Sequence, residues 1–346
     1  MKKLPRNPEV FETLELFKYL AKEEALSLRD EHSGAKFLQK LDAAFQSAKG
    51  NPARLHGLRA QSLFEYIAVS LGECSFVKHE DAGDVYASQQ DVNPPDFRII
   101  LKDRSQFFVE VKNFFQRDPL SKYQIKGSYL SKLKAYTDIF GVELKLAVYW
   151  AQWNLWTLSS LSCLEEKNGN YYLEFKDALI NNEMGLLGDR QIATVPPLIF
   201  RVFTDPAKLR TVQSNGNVQF TIGGFEILAG GVKIEDRKEQ NLVLSFMFFG
   251  DWSEDTQALT ENDQLVSFDY IFEPSERSQD QPFDMVGSLS SMVSRQFHIL
   301  TAPEGETERL VPNQEPDDFR IELPPDCKGK QLKLWCFQQM LRQGTD

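Results

Sequence analysis

The twenty residues from Pro94 to Asn113, PPDFRIILKDRSQFFVEVKN, constrain this chain more than any other stretch. Two runs rich in β-branched and aromatic residues, Phe97 to Leu101 and Phe107 to Val111, flank the polar stretch Lys102 to Gln106. That is the pattern of a β-hairpin. With the turn centred near Asp103, antiparallel partners have numbers summing to about 206, so Asp96 faces Glu110. Directly opposed residues have Cβ atoms roughly 4.5–5.5 Å apart, and the two carboxylates then share one small volume. Side chains alternate along a strand with period two. Glu110 and Lys112 therefore project from one face, while Val109 and Val111 point the other way into a core. Opposed like charges destabilise a sheet and burial adds to the cost, so the arrangement calls for a cation between the acids. A hard divalent ion with oxygen ligands is the natural candidate.

The closing tripeptide has no weight alone. Three further E-x-K triplets occur, Glu143-Leu144-Lys145, Glu165-Glu166-Lys167 and Glu174-Phe175-Lys176. None has a Pro-Asp-aromatic step at the right distance upstream. The second Pro-Asp cluster, Pro316-Asp317-Asp318-Phe319, is followed by no E-x-K. Only Asp96 to Lys112 has acid, strand, turn, strand, acid and base in order.

Pro95-Asp96, thirteen intervening residues and Glu110-Val111-Lys112 resemble the signature of the PD-(D/E)xK nuclease superfamily, the restriction-endonuclease-like fold. The resemblance spans roughly Asn51 to Asp189. It implies an α+β core, a mixed sheet flanked by helices, and Mg²⁺-dependent cleavage of nucleic-acid phosphodiesters, with Mn²⁺ as a substitute. Asp96, Glu110 and the Val111 carbonyl would take the metal-ligand positions and Lys112 that of the catalytic lysine. Glu65, on the helix before the first core strand, fits the position of a supporting acid in many members. Its alternative is a surface glutamate on an amphipathic helix.

Residues 8 to 49 read as two helices broken at Gly34, with Val10, Leu14, Phe17 and Leu20 and then Phe37, Leu41 and Phe45 at helical spacing. Asn51-Pro52 opens a third helix that stops at Gly72. Cys74 to Lys78 reads as the first core strand; Asp81, Asp84 and Asp91 follow it as loop residues. A helix is expected over Lys122 to Phe140, with Tyr129, Leu133, Tyr136 and Phe140 as its packing stripe. Glu143 to Trp150 reads as another core strand. Trp150, Trp153 and Trp156 fit core packing better than base stacking. Gln124, Lys126, Tyr129 and Lys132 are candidate nucleic-acid contacts.

Beyond Pro196-Pro197, strand-like runs at Leu198 to Phe203, Val218 to Ile222, Leu242 to Phe249, Leu265 to Phe272 and Phe319 to Leu323 predict a β-rich C-terminal domain. The expected division is a helical N-terminal segment over 1–50, a nuclease core over 51–190 and the β-rich domain over 191–346. That last domain offers a surface for a second copy or a partner protein.

Charge appears at first to oppose a polyanionic partner, since the net value is −11. Residues 200–346 hold 14 basic and 24 acidic residues, whereas 1–199 hold 25 and 26, so the acidity is C-terminal. Local basic patches govern phosphate contact. The four cysteines, 74, 163, 327 and 336, form no C-x-x-C pair, which predicts free thiols and no zinc knuckle. The four dispersed histidines disfavour a histidine-based nuclease. No run approaches a membrane span and the start lacks a secretory pattern, so a cytoplasmic protein is expected. Two alternatives stand beside a DNA-favouring endonuclease of restriction or anti-phage defence. One is an inactive nuclease-fold protein for nucleic-acid binding or assembly; the other is a ligand-sensing effector whose C-terminal half gates the nuclease.

Overall fold

The computed structural model describes residues 1, 13–24, 26–80, 87, 91–118, 120–212, 217–262 and 264–339. Val10, Asp81 and Asp84 lie outside that set. The fold is mixed α+β, as expected. Two helices, α1 (Thr13–Glu24) and α2 (Ser33–Lys49), precede α3 (Pro52–Ser70), which Asn51 caps by accepting from the Arg54 N–H. There follow β1 (Cys74–His79), β2 (Phe97–Leu101), β3 (Gln106–Phe114), β4 (Tyr123–Lys126), α4 (Gly127–Phe140), β5 (Leu144–Trp150) and β6 (Leu155–Ser160). Five of these strands form one sheet in the order β1-β2-β3-β5-β6. The β3–β5 pair is parallel and the other pairs are antiparallel.

The β2–β3 hairpin has the expected register: Phe97 pairs with Val109 and Ile99 with Phe107. Both faces of β3 are covered. Phe107, Val109 and Val111 pack against Leu63, Phe64 and Ile67 of α3, while Phe108 packs against Leu130 and Leu133 of α4. The end of the hairpin that bears Glu110 is thus interior. Trp150 and Trp156 are fully buried and Trp153 stacks on Phe175, so all three are packing residues.

The expected helix over Lys122 to Phe140 starts later, at Gly127. Tyr123 to Lys126 is instead a strand, because it pairs with a distant one, β8 (Asn170–Leu173), beside β7 (Glu165–Lys167). Next come α5 (Phe175–Ile180), β9 (Gln191–Thr194), β10 (Leu198–Thr204), β11 (Arg210–Val212), β12 (Val218–Phe220), β13 (Ile222–Ala229), β14 (Val232–Lys233), α6 (Arg237–Phe249), β15 (Ser253–Glu261), β16 (Gln264–Glu273), β17 (Asp284–Ser288), α7 (Leu289–Thr301) and β18 (Leu334–Phe337). A second, antiparallel sheet runs β14-β13-β10-β16-β15.

Two expected strands are overturned. Leu242 to Phe249 is the C-terminal part of α6: Asp236 caps the helix by accepting from the N–H groups of Lys238 and Glu239. Its buried residues, 239, 242, 243, 246 and 247, fall at helical spacing. The apolar run LVLSFMFF hides this period because only the cap and Glu239 reveal it. Phe319 to Leu323 is not a strand either. A short 3₁₀ turn, Pro316–Phe319, ends there, and Phe319 drops into the core against Tyr66 with ring centroids 4.9 Å apart. The thiol expectation also needs correction, since Cys327 and Cys336 form a disulfide; Cys74 and Cys163 are free.

Three residues from the C-terminal region join the first core. Val293 and Phe297 of α7, together with Phe319, pack into the cluster formed by α3 and the hairpin. Glu239 ties the chain end down: its carboxylate accepts from the backbone N–H groups of Lys330, of Gln331 at 3.0 Å and of Leu332 at 2.9 Å. Glu239→Ala strands those donors, and a cost on the order of 3 kcal/mol is expected in urea unfolding; a change within error would show that the clamp contributes nothing.

Candidate active site

Strand β3 carries the site because β2 stops short of it. Pairing along β2 starts at Phe97, opposite Val109, so beyond Val109 this edge of β3 faces no strand. Asp96 fills the vacancy. Its Oδ2 accepts from the Val111 N–H at 2.7 Å, and its Oδ1 from Gln61 Nε2 at 2.7 Å. A strand residue's N–H and C=O point to the same side, and the Phe108 N–H donates toward Glu143 on the β5 side at 2.8 Å. The odd-numbered residues therefore face the other way, so the Val111 carbonyl points outward on the edge where Asp96 lies.

Glu110 is 2% exposed. Its Oε1 accepts from Lys112 Nζ at 2.5 Å and from Tyr129 Oη at 2.6 Å. Its Oε2 is buried with no hydrogen-bond partner among the described residues. The Lys112 ammonium also lies 4.9 Å from the centroid of the Tyr129 ring, which fixes its direction. Burial first, and the Glu110 charge second, push the Asp96 carboxyl up to about 7; the Val111 N–H and Lys112 oppose this. Tyr129 and Tyr123 are likewise held protonated by burial and by the same two acids. One protein cation faces two carboxylates, so the buried cluster is one positive charge short of neutrality when both acids are ionised.

These donors fit a divalent ion. Two carboxylates and one main-chain carbonyl are a small protein set, as suits Mg²⁺, which keeps waters and takes substrate oxygens. The orphaned Glu110 Oε2 is a buried acceptor awaiting a partner. Among the described residues no group of three or more His, Cys, Asp or Glu side chains converges on a metal position.

No protein-family model matches this chain, and no curated protein is similar to it. Among solved structures, a Holliday junction resolvase from Archaeoglobus fulgidus is similar over 36% of this chain and 90% of that one. The sequence identity is 13% and the TM-score 0.26. A likeness of that size leaves the reading of the site to its own side chains.

Of the residues expected from sequence, Asp96, Glu110, Val111 and Lys112 come together, and Tyr129 joins them through Glu110. Lys126 and Gln124 lie exposed on β4, whose Tyr123 feels both site acids. Lys132 pairs with Asp91. Glu65 is not brought to the cluster by any described contact; its charge acts on Tyr66, along with those of Glu315 and Asp318. Gln61, one helical turn earlier on the same face of α3, makes the contact instead. The four-residue offset from Glu65 was the available signal. Gln61→Ala should therefore impair the site, with divalent-cation affinity falling about tenfold, whereas Glu65→Ala should leave it within about twofold; each is one hydrogen bond or none. The reverse order in calorimetric titrations would return the role to Glu65.

Proposed function

We propose that this chain is a divalent-metal-dependent nuclease that hydrolyses phosphodiester bonds, with DNA favoured over RNA and Mg²⁺ as the physiological ion. The observation that carries the reading is the orphaned, buried carboxylate oxygen of Glu110 beside Asp96, with an ammonium group on the same glutamate. A pure binding protein gains nothing from acids aimed at a phosphate.

Asp96, Glu110 and the Val111 carbonyl would hold the ion. When bound, it supplies Lewis acidity and a water of lowered pKa. Asp96 must first release its proton, so cation binding strengthens as pH rises through about 7 and levels off above it. Lys112 supplies a compact positive charge, held in direction by Glu110 and the Tyr129 ring, for the charge that develops on the phosphate oxygens. Gln61 and the Val111 N–H keep the Asp96 carboxylate oriented. Gln124, Lys126 and Lys132 offer contacts to the substrate backbone. A nuclease core joined to a large additional region suits a dedicated endonuclease of restriction or anti-phage defence.

Purified protein is incubated with plasmid, linear duplex, single-stranded DNA and RNA in Mg²⁺, Mn²⁺ or EDTA, beside Asp96→Ala. Cleavage of at least one DNA substrate is expected, lost in EDTA and in the variant. Equal cleavage by Asp96→Ala would end the proposal.

A further inference from the structure

On the α3 side of β3, opposite Glu110, lies a cavity of about 840 Å³, lined in part by Asn113, the residue after Lys112. The volume is that of small-molecule sites, roughly 300–1,000 Å³. Arg59 of α3 stands in its wall, only 8% exposed. Its guanidinium donates to Thr301 Oγ1 at 2.8 Å, Thr307 Oγ1 at 3.2 Å and His298 Nδ1 at 3.0 Å, and its Nε is buried without a partner among the described residues. A guanidinium only donates, so His298 accepts at Nδ1 and carries its proton on Nε2. That proton faces Tyr149 Oη at 2.7 Å, and Tyr149 donates to Asn154 Oδ1 at 3.0 Å. Burial, with Arg59 second, holds the His298 pKa down to about 4, so the imidazole is neutral.

Every described hydrogen-bond partner of Arg59 is therefore uncharged. A guanidinium keeps its charge at any working pH, and a buried charge with no counter-ion is costly. The cavity supplies the place for an anion. Ala60, Leu63, Ala151 and Ile299 give it apolar walls, Arg295, paired with Asp251, adds a second guanidinium, and His56 and the exposed Glu304 carboxylate complete the polar lining, while Phe115 stands exposed at the rim, available for stacking. Asn113 Oδ1 is buried with no partner among the described residues, an acceptor waiting for a hydroxyl or amino donor.

We propose that this cavity binds a phosphorylated nucleoside, with its phosphate toward Arg59, its base along the apolar walls, and Asn113 accepting from the sugar or base. The source is either a free mononucleotide or the phosphorylated end of a nucleic-acid strand. In both cases the occupant abuts the strand that carries Glu110 and Lys112, and it touches α7.

Calorimetry in EDTA tests this with free nucleoside monophosphates, the unphosphorylated nucleosides, and short oligonucleotides with and without a terminal phosphate. Wild type, Arg59→Gln and Ile299→Trp are compared. Binding is expected to weaken at least about tenfold without the phosphate and in Arg59→Gln. It is expected to weaken likewise in Ile299→Trp, which pushes a larger ring into the cavity from a half-exposed position and is expected to keep the wild-type melting temperature. Binding of the free nucleotides supports a soluble ligand; binding of the oligonucleotides alone supports a strand end. No binding of either at millimolar concentration, equal affinity for phosphate-free ligands, or full binding by Ile299→Trp overturns the inference. Because no cleavage is measured and no metal is present, failure here leaves the nuclease proposal standing, and absence of cleavage leaves this one.

Discussion

Lys112→Ala is expected to lower cleavage on the order of 10²–10³-fold, as removal of a preorganised charge at a reacting centre does. The fold should survive. Glu110 keeps the Tyr129 hydroxyl, and the lost ammonium is itself partly exposed. Lys112→Arg should not rescue the rate, because a planar fork cannot replace a compact ammonium seated between a carboxylate and the Tyr129 ring. Single-turnover rates with saturating Mg²⁺, read beside thermal melts, separate chemistry from folding. A variant that cuts at the wild-type rate would remove lysine from the mechanism.

Asp96→Asn is expected to abolish cleavage while stabilising the metal-free protein at pH 8. The sign follows from the carboxyl's raised position. Between about 4 and about 7 the folded state holds a proton on Asp96 that the unfolded chain has released, so metal-free stability falls as pH rises across that window. Asn cannot ionise, so its melting temperature should be flat over the same range where the wild type declines. Divalent ion added at pH 8 should restore the wild type and leave Asp96→Asn unmoved. Parallel pH profiles for the two proteins in EDTA would show that Asp96 is not strained by its neighbours.

The hairpin was legible because its determinants are local. Period-two patterning and a polar turn set the register, and the register alone opposes Asp96 to Glu110. Helix α3 was equally legible, from Asn51-Pro52 to Gly72. Where a segment's state depended on a remote partner, local pattern misled: β4 is a strand because β8 lies beside it. The α6 run looked like a strand because a buried helix can be apolar on most faces, and its period is then masked.

At the site, residue types and spacing determined which groups could do chemistry, since an acid, a turn, an acid and a lysine on alternating strand positions must meet at one end. Only the tertiary structure decided what state those groups are in. Burial of Glu110 under α4 comes from packing across the sheet, as does the approach of Gln61 rather than Glu65. The isolation of Arg59 among neutral partners from α7 and the segment after it has the same origin. The reason is physical: a strand period positions side chains within a few residues, whereas desolvation depends on elements brought together from across the whole chain.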